Sequence, residues 1–138
     1  MLTGLWTIGI KVSDLEKELE FHRQLGNEVV LDETIEFGGE SFRLPLVRMG
    51  DKYLHLAERM VYEHLLDRSL PVGIAHAVYI SNDFDRDVKT ALAGGAVLLT
   101  GIATVSARFG ERRVAFMRAP GGWIVEFIEI IRNLVPEV

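Results

Sequence analysis

The sequence predicts an α+β protein made of two tandem β-α-β-β-β units, whose curled mixed sheets enclose a cleft. The first observation is that residues 7–15 align with residues 76–84, and that both segments alternate like a strand before running into an amphipathic helix. The second is that residues 50–56 align with residues 121–127, where a glycine turn precedes a final strand in each copy. One supersecondary unit is therefore written twice in this chain.

The first unit is predicted to span residues 1–58. In its opening strand, residues 5–12, the alternation places Trp6 on the face that should cover a helix and Thr7 on the opposite face. The helix is expected over residues 13–26, because Ser13 suits a cap and Gly26 suits a helix stop. Three antiparallel strands are predicted to follow, at residues 28–36, 41–49 and 52–58.

The second unit is predicted to span residues 73–131 in the same order, with a helix that Asn82 caps and Gly94 ends. A connector containing a short helix, residues 59–72, joins the units, and residues 132–138 form a tail without predicted structure. The 138 residues suit one ordinary domain, so both units are expected to share one core. The strands of this unit are predicted at residues 74–81, 96–99, 104–109, 113–118 and 123–130.

The composition of the chain argues against nucleic acid and membranes as partners and limits the side chains that could bind a metal. Twenty acidic residues outnumber fifteen basic ones, and the basic residues are scattered, which argues against nucleic acid. No apolar run is long enough to cross a bilayer and no secretory signal is evident, so we expect a cytoplasmic protein that acts on a small molecule away from membranes. The chain contains no cysteine, so any metal must be held by histidine and carboxylate side chains.

Four matched positions carry the candidate chemistry. If the strand phase holds, the side chains that face the cleft are Thr7, His55, His76 and Glu126. Two imidazoles and one carboxylate that leave positions open are typical of non-haem Fe(II) oxygenases, and Mn, Ni, Co or Zn would also fit. Glu126 lies in an otherwise apolar strand, where an unpaired carboxylate is costly. We predict His55, His76 and Glu126 as metal ligands, with Thr7 at the fourth position, directly or through a water. No site for an organic cofactor is predicted.

Three segments, at residues 8–17, 73–76 and 116–127, resemble the vicinal oxygen chelate superfamily, which includes glyoxalase I, methylmalonyl-CoA epimerase, extradiol dioxygenases and bleomycin resistance proteins. The resemblance implies the paired-unit fold, a divalent metal at the matched positions and a homodimer. Members commonly carry His or Gln where this chain has Thr7, and Glu or Gln where it has His55. The second difference argues against a standard glyoxalase I, because that glutamate resembles its catalytic base.

Three functions remain open at this stage. An oxygenase-type reaction similar to that of extradiol dioxygenases is favoured, because the ligand set leaves room for a substrate with two adjacent oxygens and for O2. A lyase, isomerase or epimerase would need proton carriers, for which Glu126, Tyr53, Lys11 or a metal-bound water are candidates.

The third function is metal-free binding of a drug or metabolite, which would require aromatic surfaces in the cleft. Trp6 and Trp123 are instead expected to be packing residues. The arginines at positions 48, 108, 112 and 113 could anchor an anionic substrate, but arginines on antiparallel strands are usually solvated, and this is the expectation for them.

Overall fold

The computed structural model, which describes residues 1–137, confirms the α+β fold class and the paired units around a curled sheet. The elements in chain order are β1 (Leu2–Lys11), α1 (Leu15–Gln24), β2 (Glu28–Leu31), β3 (Thr34–Phe37), β4 (Glu40–Arg43), β5 (Leu46–Met49), β6 (Lys52–Ala57), a 3-10 turn (Glu63–Leu65), β7 (Gly73–Ser81), α2 (Phe84–Ala93), β8 (Val97–Leu98), β9 (Ala103–Ala107), β10 (Gly110–Arg118) and β11 (Ile124–Asn133).

One mixed sheet contains both units, in the order β2-β5-β6-β1-β7-β11-β10-β8, with β9 also paired to β10. The units join through the antiparallel pairing of β1 with β7, and each unit pairs its first and last strands in parallel. Gly9 lies opposite His55 in the first unit, just as Val78 lies opposite Glu126 in the second. Offsets of 69 and 71 residues relate these pairs, so the repeat in the sequence is also a repeat in register.

The two helices cover the convex face of the sheet. Asp14 caps α1 by accepting a hydrogen bond from the backbone N–H of Lys17 at 3.1 Å, so the predicted cap at Ser13 is one residue early. The carboxylate of Glu58 accepts a second bond, from the N–H of Leu15 at 2.9 Å, and thereby ties the start of α1 to the end of β6.

The start of α2 differs from the prediction in the same way. Its cap residue is Asp83 and not Asn82, and the Asp83 side chain makes no capping bond. The hydroxyl of Ser81 serves instead, since it accepts from the N–H of Asp83 at 3.0 Å. A polar residue just before each helix therefore predicted where the helix begins to within one residue, but it did not identify the atom that caps it.

Two predicted long strands are wrong in extent. Residues 28–36 divide into β2 and β3, and residues 41–49 divide into β4 and β5. Pro45 lies at the second break, where its missing N–H cannot join a ladder. The hairpin β3-β4 consequently leaves the main sheet and packs Ile35 and Phe42 against the core on the concave face.

Trp6 does not face α1, contrary to the prediction. Its ring contacts His55 and Phe109 on the concave side, with centroid distances of 5.6 and 5.7 Å. A register shift between Leu5 and Thr7 interrupts the alternation of β1 at this point, after which Ile8, Ile10 and Val12 lie on the helix side. One irregularity therefore moves a large aromatic ring into the cleft.

The C-terminal segment is more ordered than the predicted tail. Strand β11 continues to Asn133, Val135 is buried in the core, and the carbonyl of Pro136 accepts a hydrogen bond from the hydroxyl of Tyr53 at 2.6 Å. The last residue of the predicted tail, Val138, lies outside the described residues. Neither α1 nor α2 is long and apolar enough to cross a membrane.

Candidate functional site

The concave face of the sheet and the β3-β4 hairpin enclose a cavity of about 60 Å3. Most of its walls are apolar, with contributions from Trp6, Phe37, Phe109 and Phe116. The titratable side chains that line it are His55, His76, Arg112 and Glu126. Three of these are the predicted metal ligands, so the strand phase inferred from the repeat places them on one cavity.

His76, in β7, lies at the centre of a short chain of polar groups. Its Nδ1 is 2.9 Å from the hydroxyl of Tyr62, and its Nε2 is 3.6 Å from a carboxylate oxygen of Glu126. Burial, with a smaller contribution from the charge of Glu126, raises the pKa of Tyr62 well above its usual value, so the phenol stays protonated. Nδ1 is thus hydrogen-bonded, which orients the ring, while Nε2 lies near the carboxylate without a hydrogen bond to it.

A glycine in the neighbouring strand makes room for this imidazole. A Cβ atom built on Gly9 would lie 2.3 Å from Cε1 of His76, which is far inside van der Waals contact. The ring therefore rests directly on the backbone of β1. Gly9 is a requirement of the site, because any larger residue would displace His76.

His55, in β6, presents a different environment. Its Nε2 is buried and has no hydrogen-bond partner among the described residues. Burial lowers the pKa of His55 to about 3, with smaller contributions from the charges of His76 and Arg112. The imidazole is therefore neutral at physiological pH, which is the form that binds metals.

The types of donor atom on the cavity suit a divalent ion, but the distances between these side chains are too long for them to hold one as they stand. Within residues 1–137, no group of three His, Asp or Glu side chains is close enough to hold a metal ion. His76 and Glu126 form a close pair, while His55 contributes a separate neutral nitrogen to the same cavity. Two imidazoles and a carboxylate on one cavity are nevertheless the donor types that a borderline divalent ion prefers.

The remaining predicted residues lie elsewhere. Thr7 is fully buried with an unpartnered hydroxyl, and it is not among the residues that line the cavity. Tyr53 donates to Pro136 beneath the C-terminal segment, and Lys11 pairs with Glu63 at 2.7 Å. Neither Tyr53 nor Lys11 is among the residues that line the cavity, so their role as proton carriers stays a prediction.

Two polar residues of the site were missed by the sequence analysis. Tyr62 lies in the connector, outside the repeat, so no matched position pointed to it. Arg112 was expected to be solvated but is 1% exposed. The alternation of Arg112 with Val114 and Phe116, all of which line the cavity, was a signal that could have found it.

Comparison with known proteins shows which solved structures share this fold. No protein-family model and no curated protein sequence matches the chain. Among solved structures, a methylmalonyl-CoA epimerase from Streptomyces coelicolor in complex with 2-nitronate-propionyl-CoA is 23% identical, with 96% of this chain and 100% of that chain covered and a TM-score of 0.71. The methylmalonyl-CoA epimerase from Mycobacterium tuberculosis is 22% identical, with 95% and 90% covered and a TM-score of 0.69.

A catechol 2,3-dioxygenase is also similar, at 18% identity and a TM-score of 0.65, with 99% of this chain but 46% of the dioxygenase covered. The chain has the vicinal oxygen chelate fold. Since this fold accommodates both epimerases and dioxygenases, the fold alone leaves the reaction open. Any conclusion about chemistry therefore rests on the cavity and the side chains that line it.

Proposed function

We propose that this chain is a divalent-metal-dependent enzyme that carries out an oxygenase-type reaction on a small substrate with two adjacent oxygens. His55, His76 and Glu126 would hold the ion, for which Fe(II) is favoured and Mn, Ni, Co and Zn are alternatives. The observation that supports this most is the buried Nε2 of His55, which has no partner within residues 1–137, on a residue that lines the same cavity as the His76–Glu126 pair.

Each residue would have a distinct role. Tyr62 fixes the ring of His76 through Nδ1, so that Nε2 is the nitrogen turned toward Glu126. Glu126 supplies negative charge, and the apolar walls exclude water from the substrate. A bound ion would act as a Lewis acid on the two substrate oxygens and, if redox-active, would support chemistry with O2.

Proton transfer, as in an epimerase, isomerase or lyase, is the second candidate. The order Tyr62, His76, Glu126 favours it, because Tyr62 is hydrogen-bonded to His76 and a carboxylate oxygen of Glu126 lies 3.6 Å from the other imidazole nitrogen, so small movements could pass a proton along these groups. Against it, Glu126 is the only carboxylate among the residues that line the cavity, and His55 is too weakly basic to replace a second one.

Metal-free sequestration of a small ligand is the third candidate. The aromatic rings of Trp6, Phe109 and Phe116 all line the cavity, so the sequence-based argument that Trp6 serves only for packing does not hold. A sequestering protein would bind its ligand without retaining a metal, which separates it from the two enzymes.

Metal analysis of anaerobically purified protein tests the proposal. We expect about one divalent ion per chain, with loss of the ion in His76→Ala and in Glu126→Gln. Glu129→Gln is the matched control, because Glu129 is in the same strand but pairs with Arg113, away from the cavity. Full retention of metal in both site variants would reject the ligand assignment.

Two measurements on the metal-loaded protein separate the reactions. Oxygen uptake with catechol-type substrates, without solvent deuterium exchange, would support the oxygenase. Exchange into 2-oxo acids or acyl thioesters, without uptake, would support proton transfer. Tight ligand binding with neither would support sequestration. We also propose a homodimer in the cytoplasm, which sedimentation analysis and cell fractionation would check.

A further inference from the structure

Arg112, in β10, is buried in the wall of the cavity. Its guanidinium lies over the ring of Trp6 at 4.8 Å and near that of Phe109 at 5.3 Å. The terminal nitrogens donate to four oxygens, those of the Phe109, Glu111 and Arg132 carbonyls and of the Asn133 side chain. The fifth N–H, on Nε, is buried and has no acceptor among residues 1–137.

All four acceptors are neutral, so the positive charge of Arg112 is not compensated by an anion of the described chain. Other arginines of this protein do have anionic partners: Arg113 pairs with Asp85 and Glu129, and Arg59 pairs with Glu40. Burial lowers the pKa of Arg112 to about 10, which still leaves it charged at physiological pH. An uncompensated buried charge is costly unless something pairs with it.

We propose that Arg112 forms a carboxylate-binding site in the cavity wall, so that the ligand is a small monoanionic acid with an apolar body. This inference rests on the proposed function only in placing the substrate in this cavity. One free N–H and one positive charge match a single carboxylate. A phosphate dianion would bring more charge than Arg112 can neutralise and more oxygens than its remaining N–H can bind.

The rest of the cavity fits the same ligand. The rings of Trp6 and Phe109, against which Arg112 packs, also contact His55, with centroid distances of 5.6 and 6.1 Å. A carboxylate at Arg112 would therefore leave the other end of a short ligand near the histidines, with its apolar body against Val105, Val114 and Ile128. The cavity volume of about 60 Å3 favours acids of a few carbon atoms.

The test compares propanoate with its neutral analogue propanamide, on protein kept metal-free with chelator. Binding is followed through the Nε–H resonance of Arg112, which is assigned by its disappearance in Arg112→Met. We expect propanoate to shift this resonance and to bind about tenfold or more tightly than propanamide, since a charge-assisted hydrogen bond contributes this much. The shift is a direct readout that a purely structural arginine would not give.

Arg112→Met lacks this resonance, so isothermal titration calorimetry compares the variants. Arg112→Met should reduce propanoate binding to the level of propanamide, whereas Arg113→Met, on the other face of the same strand, should leave it unchanged. Equal binding of acid and amide by the wild-type protein, or no binding of either, would overturn the proposal even if Arg112→Met failed to fold. Because no metal is present, the result is independent of the ligand assignment for His55, His76 and Glu126.

Discussion

The two units share a backbone plan but differ in how they treat their matched polar residues. In the second unit, His76 is hydrogen-bonded to Tyr62 through Nδ1, and Glu126 lies 3.6 Å from Nε2. In the first unit, the matched residues Thr7 and His55 both keep buried polar atoms without partners among residues 1–137. The two units therefore share the backbone plan but differ in how many of their buried polar atoms are hydrogen-bonded. Among these matched positions, it is the first unit that retains buried polar atoms able to bind something further; elsewhere, the second unit retains Nε of Arg112.

The largest expected effect is a loss of stability at acidic pH, which we expect His55 to cause. The unfolded imidazole has a pKa near 6.5 and the folded one a pKa of about 3, so the unfolded state takes up a proton first as the pH falls. Stability of metal-free protein should be constant above about pH 6.5 and should decrease below it by up to about 1.4 kcal/mol per pH unit, until about pH 3.

Urea unfolding at several pH values measures this dependence. In His55→Leu the decrease over the same interval should be smaller, because the group that titrates only in the unfolded state has been removed. An unchanged slope in His55→Leu would show that other groups cause the acid sensitivity.

The second prediction breaks the contact between the units. Gly9→Ala should destabilise the protein by about 1–3 kcal/mol, because the new methyl group overlaps the ring of His76. Gly4→Ala is the matched control, since it lies in the same strand with nothing within 4 Å of the added atom. Thermal unfolding compares them, and equal stability of the two variants would contradict the close approach of His76 to β1.

The third prediction makes the second unit resemble the first by leaving His76 unsatisfied. Tyr62→Phe removes the hydroxyl that bonds Nδ1 and should cost about 1–2 kcal/mol, because a buried polar atom loses its partner. Tyr79→Phe, in β7, provides the control for loss of a tyrosine hydroxyl. Chemical denaturation measures both free energies of unfolding. A loss of stability in Tyr79→Phe as large as that in Tyr62→Phe would contradict the prediction.

The smallest expected effect comes from removing an unpartnered polar atom from the first unit. Thr7→Val replaces a fully buried, unpartnered hydroxyl by a methyl group of similar size, and should be neutral or stabilising by up to about 1 kcal/mol. Differential scanning calorimetry measures the change. Metal content of the same variant tests the fourth ligand position, because loss of metal would show that Thr7 coordinates the ion or its water.

The sequence was sufficient for the fold class and for the cleft-facing positions of His55, His76 and Glu126, because a period of two along a strand and a repeat between units are both local patterns. It failed where one residue interrupts a pattern. Trp6 was assigned to the wrong face because a register shift in β1 cannot be read from alternation. Two strands were drawn too long: the break at Pro45 had a local signal that was not used, whereas the break between β2 and β3 became visible only in the fold.

By itself the sequence determined the duplicated architecture and the chemical identity of the donors that face the cleft. Tertiary structure alone decided which of those donors have partners: it brought Tyr62 from the connector onto His76, drew Tyr53 beneath the C-terminal segment, and buried Arg112 without an anion. The physical reason is that hydrogen bonding and desolvation depend on neighbours far apart in the chain, whereas strand phase depends only on adjacent residues.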